Sequence, residues 1–141
     1  MRRSALLVLS LSVISLFWCS PTKSDTGFSN KLTLGTGLNS ANPFNLTGEA
    51  TSFAGGALLP LTLYWRLESS NDMAGSAVTI DIKKLSNTTY LSYKSQTYSS
   101  TQNYGHIMVS SISIDSAGSF RATGILVTGN KTVSSVDFTV Q

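Results

Sequence analysis

Cysteine is nearly missing from this chain: its 141 residues hold one, Cys19, so no disulfide can form within it. Any folded domain here must therefore be held by its apolar core rather than by covalent staples. Histidine is equally scarce, with His106 alone. A Cys/His dyad, a serine triad or a zinc site would have one imidazole to draw on, and no serine sits in a Gly-x-Ser-x-Gly elbow. The seven acidic residues are scattered, without an Asp-x-Asp-x-Asp calcium loop. Glu68, Asn71 and Asp72 read as a solvated strand end and turn rather than a cation site. No enzyme activity, metal or cofactor is expected.

Charge is also sparse, at 12% of residues. Setting aside Arg2 and Arg3 at the N-terminus leaves eight basic residues against seven acidic ones, which gives no drive toward a polyanion. Nucleic acid is therefore not an expected partner. No fixed-period repeat is present, which argues against a solenoid or propeller. Gly35-Thr36-Gly37 is a lone Gly-x-Gly, and the Asn-rich segment up to Pro43 leaves no helix to follow it. It reads as a turn, not a dinucleotide site.

What is present starts at the N-terminus. Residues 1–18 pair the basic Arg2-Arg3 with an apolar run from Ala5 to Trp18, the layout of a secretory signal. At about 14 residues the run is short for a membrane-spanning helix, which needs roughly 20. The run ends in Leu16-Phe17-Trp18-Cys19, which resembles the lipobox of bacterial lipoproteins. Leu16 fits three positions before the cysteine. Bulky Phe17 and Trp18 depart from the small residues usual before the cut, a looseness that resembles spirochaete lipoproteins. The resemblance implies lipid on Cys19, cleavage just before it, and a membrane-anchored place in the bacterial envelope, at the outer membrane or cell surface. If Cys19 is not lipidated, the same signal implies a soluble secreted or periplasmic protein. Residues 19–30 then form a small, polar, flexible tether.

From residue 31 to 141 the pattern is that of one β domain. Short runs of Val, Ile, Thr, Tyr and Phe alternate with polar residues and are broken by Gly, Asn, Ser and Pro. Strands are expected at 31–35, 44–53, 61–68, 77–84, 89–95, 106–114, 119–127 and 132–140. In 61–68, Leu61, Leu63, Trp65 and Leu67 share one face, and a one-residue slip would exchange them for Arg66 and Glu68. Val78, Ile80 and Ile82 repeat that logic. Residues 106–114 change phase near Ser110-Ser111, which predicts a bulge or a segment buried on both faces. Gly129-Asn130 marks a tight hairpin between the last two strands. Seven or eight short antiparallel strands predict an all-β sandwich; the alternative is a small closed barrel of the lipocalin or OB type.

Three features resemble bacterial immunoglobulin-like domains: Trp65 in mid-strand, the Asp115-to-Ala122 corner, and the closing run Ser135 to Val140. The resemblance implies an immunoglobulin-like sandwich with Trp65 in its core. Phe120 stands where the corner tyrosine is usual, so that hydroxyl bond cannot form there.

One segment carries a functional expectation. Tyr90, Tyr93, Tyr98 and Tyr104 lie among Ser, Thr, Gln and Asn, a mixture of rigid rings and adaptable hydrogen bonds that binding surfaces use. Exposed, these rings would form a surface for a protein or glycan. Half-buried, they would belong to an edge strand guarded by Lys94. The sequence thus predicts an exported, lipid-anchored, non-enzymatic binding or adhesion module, with a self-associating structural envelope component as the alternative.

Overall fold

The computed structural model describes residues 27–100 and 103–141. The signal segment 1–18, Cys19 and the tether up to residue 26 lie outside the described residues. The strands are β1 (Lys31–Gly35), β2 (Gly37–Leu38), β3 (Leu46–Thr47), β4 (Ser52–Phe53), β5 (Leu61–Glu68), β6 (Val78–Ser86), β7 (Thr89–Tyr98), β8 (Asn103–Tyr104), β9 (Ile107–Ile114), β10 (Gly118–Leu126) and β11 (Lys131–Val140).

They form two packed sheets, β1-β5-β9-β8 and β4-β11-β10-β6-β7, with a small β2-β3 ribbon beside them. Among the described residues seven strands have five residues or more. Counting only those, one sheet runs first-second-fifth and the other seventh-sixth-third-fourth. That is an immunoglobulin-like antiparallel β-sandwich. The two sheets stay separate and share one filled core, so the closed-barrel alternative does not hold.

The alternation in β5 sets the centre of the core. Leu63, Trp65 and Leu67 are fully buried, facing Val78, Ile80, Phe120 and Ala122 of the other sheet. Leu67 reaches so far that a Cβ on Gly124 of β10 would lie 2.6 Å from its Cδ1. The sheets approach this closely because position 124 carries no side chain. Trp65 meets Tyr98 edge-on at 4.8 Å, and Phe120 stacks on Phe138 at 5.2 Å.

Three sequence expectations need correction. Residues 44–53 are not one strand: β3 pairs with β2, and β4 pairs in parallel with the end of β11. Gly48, at φ 61°, breaks the run, so its apolar residues serve two partners. Trp65 consequently lies on the second long strand, not the third. Of the two alternatives for residues 107–114 the bulge is absent, because β5 and β9 pair without a shift from Leu61↔Ile114 to Glu68↔Ile107, while no residue of the strand is exposed on either face. Ser110 takes an inward position opposite Trp65, where a small residue leaves room for the indole. The shifts fall elsewhere, between Gly124 and Ile125 and between Ile82 and Lys83. The β10–β11 turn forms as expected, with Gly129 at φ 76° and Asn130 at φ 47°.

The last tether residues dock on the domain. Phe28 stacks on His106 at 5.0 Å, Ser29 N–H donates to Glu68, and Ser70 N–H donates to Asn30. Burial raises the Glu68 carboxyl, but Ser29 N–H and the Arg66 guanidinium outweigh it and hold the group below its usual range. The polar composition of 28–30 hides these contacts, which come from one aromatic ring and two amide groups.

Candidate binding surface

The four tyrosines do not form one surface. Tyr98 is 6% exposed and belongs to the core, so its place in a binding surface is corrected. Its hydroxyl donates to Ser111 O at 2.6 Å, and burial pushes the phenol up from its ordinary value. Trp65 Nε1 is buried and meets no acceptor in hydrogen-bond geometry among the described residues; its nearness to Tyr98 offsets only part of that rise.

Tyr93 is half-buried against Phe120, and its hydroxyl donates to the Asp115 carboxylate while accepting from Asp115 N–H at 2.9 Å. The Tyr93 hydroxyl thus serves the corner where Phe120 has none, and it holds the Asp115 carboxyl below its usual range. Tyr104 is exposed, with Phe44 edge-on at 4.9 Å. Tyr90 is half-buried on the outer face of the five-stranded sheet.

The break in pairing between Ile82 and Lys83 leaves Tyr93 opposite no residue of β6. This bulge turns both Tyr93 and Lys94 toward the other sheet. Lys94 Nζ donates to Ser113 O at 2.6 Å, beside the Tyr98 bond to Ser111 O. Ser111 and Ser113 lie where β8 no longer covers β9. Side chains of β7 therefore satisfy carbonyls of an otherwise open strand. Lys94 does guard an edge, but that of β9, by pointing inward.

The outer face of the five-stranded sheet carries what the sequence pattern did not single out. Thr139 pairs with Ser119 on one side and Ser52 on the other, and Leu85 pairs with Tyr90. The next row places Arg121 opposite Asp137. Arg121 Nε and Nη2 donate to the two Asp137 oxygens at 2.6 and 2.8 Å, and the guanidinium lies 4.5 Å from the Tyr90 ring centre. This fork holds the Asp137 carboxyl below its usual range, aided by the Tyr90 hydroxyl, and holds Arg121 above its own.

An open cleft of about 420 Å³ on this face is lined by Leu85 and Tyr90 toward β7 and by Ser52, Ser119, Asp137 and Thr139 toward β4. Thr139 donates to Ser52 at 3.0 Å, which orients the hydroxyl row. The turn register alone, with Leu126 opposite Lys131, would set Arg121 against Val136; the shift between Gly124 and Ile125 brings Asp137 opposite it instead.

The cleft lies at the end of the sandwich remote from the tether. Lys31 pairs with Glu68, so the chain enters beside the end of β5. The cleft lies beside Gly118 and Val140, next to the corner that follows Ile114, which pairs with the start of β5. Glu68 and Asp72, by contrast, are engaged near the entry, Glu68 with Arg66 and Asp72 with Ala74 N–H. Among the described residues no helix is long and apolar enough to cross a membrane. Neither a protein-family model nor a curated protein matches the chain, so the surface is read from its geometry.

Proposed function

We propose that this chain is an exported bacterial envelope lipoprotein, anchored through lipid on Cys19, whose β-sandwich acts as a non-enzymatic binding or adhesion module. The observation that carries the reading is the placement of the cleft at the pole opposite the entry of the tether. A module held at one end and open at the other presents that cleft away from the membrane. The lipobox-like Leu16-to-Cys19 segment supplies the anchor, and several acyl chains hold where one is marginal.

Edge-to-edge self-association finds less support. β7 carries a bulge and an inward lysine, β9 is capped by Tyr98 and Lys94, and β4 has two residues. Ala50 N–H donates to Leu34 O, which covers part of β1. These are devices that blunt sheet edges. Binding through a face suits this sandwich better.

The deciding experiment is the mass of the N-terminal peptide from protein recovered from its own membranes. A Cys19 N-terminus carrying acyl mass is the expected result. A free Cys19 thiol, or an N-terminus elsewhere, overturns the anchor and leaves a soluble exported sandwich.

A further inference from the structure

Resting on that binding-module reading, we propose that the cleft on the outer face of the five-stranded sheet binds a neutral saccharide. An anionic ligand is disfavoured because the Asp137 carboxylate borders the cleft and its ion pair with Arg121 offsets the one guanidinium charge nearby. A cation is disfavoured because that carboxylate is already neutralised by Arg121. A wholly apolar ligand would take the Asp137 carboxylate and the Ser119 hydroxyl out of water, and would leave the Thr139–Ser52 pair with only its one mutual bond.

A neutral polyhydroxyl ring with one apolar face meets every wall. Its C–H face lies on Tyr90 and Leu85, and its hydroxyls pair with the polar row beside them. Asp137 is the acceptor suited to a sugar diol, because an ionised carboxylate has lone pairs beyond those Arg121 uses. The fork also fixes its orientation before a ligand arrives, so little ordering remains to oppose binding. The volume, about 420 Å³, lies within the ~300–1,000 Å³ of small-ligand sites. Tyr90 thus keeps the binding role its composition suggested, with partners from four other strands.

The test is titration of the full chain in detergent micelles with lactose, maltose, N,N′-diacetylchitobiose and 3′-sialyllactose, followed by amide chemical-shift changes. At least one neutral sugar is expected to saturate with a Kd on the order of 1 mM, with shifts centred on β10, β11 and the start of β7. Tyr90→Ala and Asp137→Asn should each weaken it about tenfold. Asp137→Asn should also free Arg121 and raise the affinity for sialyllactose relative to the neutral sugars. Retained dispersion of the core amides verifies the fold of each variant, and Thr139→Val offers a second probe of the hydroxyl row.

No saturation by any neutral sugar, a preference of the unaltered protein for sialyllactose, or binding indifferent to both Tyr90→Ala and Asp137→Asn overturns the proposal. A parallel adherence assay on intact bacterial envelopes and on host-cell surfaces separates the two readings. Adherence that survives Tyr90→Ala and is abolished by protease treatment of the surface overturns the saccharide and keeps the module. Absence of adherence together with absence of sugar binding overturns both.

Discussion

The two faces of the five-stranded sheet obey opposite rules, although the same strands build both. On β10, Phe120, Ala122 and Leu126 point inward and are buried, while Ser119, Arg121 and Thr123 alternate outward. Inward positions are decided by volume, because a close-packed interior has no tolerance for a missing or extra methyl. Outward positions are decided by hydrogen bonding and charge across strands, and each such contact is worth little to the fold. The inner face therefore sets stability, and the outer face is free to serve recognition.

The largest loss of stability is expected at Trp65. Trp65→Ala empties the centre of the core and should cost about 3–5 kcal/mol, read as a lower urea midpoint. Gly124→Ala tests the same face from the opposite direction. Its new Cβ would meet the Leu67 side chain at 2.6 Å, so that buried side chain or the strand must shift, at about 1–3 kcal/mol. An unchanged midpoint for Gly124→Ala would show that the sheets are less tightly apposed than the core implies.

Tyr98 lies between the two regimes, with its ring in the core and its hydroxyl on the seam between β7 and β9. Tyr98→Phe keeps the ring and leaves Ser111 O without its donor, so about 0.5–1.5 kcal/mol should be lost. Tyr104→Phe, which alters an exposed hydroxyl, serves as the reference and should be neutral within about 0.5 kcal/mol. Equal effects in the two variants would show that the seam is not held by that bond.

How much of this was legible follows from the same division. The inner face announces itself along the chain, since Leu63, Trp65 and Leu67, and again Val78, Ile80 and Ile82, repeat at period two. β9 misleads because its inward set includes Ser110, whose small size is dictated by Trp65 on a neighbouring strand rather than by anything local. Residues 44–53 mislead because their apolar residues answer to β2 at one end and β11 at the other. The candidate cleft was hidden for a stronger reason: it draws residues from five strands, and only register places Ser52, Thr139 and Ser119 in one row. Tyrosine content flagged the right stretch, but composition is silent on which face a ring takes. The bulge at Tyr93 and the burial of Tyr98 decide that.

The smallest effect on stability should come from the outer face itself, and acid sharpens it. Asp137 is held below the usual carboxylate range by Arg121, and Asp115 by the Tyr93 hydroxyl. A carboxyl with a lower pKa in the folded state contributes stability that is fully present above its unfolded value, near pH 4, and is lost as pH falls through the folded value. Thermal midpoints should therefore be flat from about pH 7 to 5 and decline below about pH 4. Asp137→Asn should flatten part of that decline while changing the neutral midpoint by the equivalent of less than about 0.5 kcal/mol, because both partners are substantially exposed. Added salt should shrink the Asp137 share of the decline, since screening weakens an exposed pair. A large neutral-pH loss in Asp137→Asn would mean that the Arg121 fork braces the β10–β11 hairpin. The outer face would then be constrained by folding as the inner face is, and its freedom to evolve as a recognition surface would be correspondingly reduced.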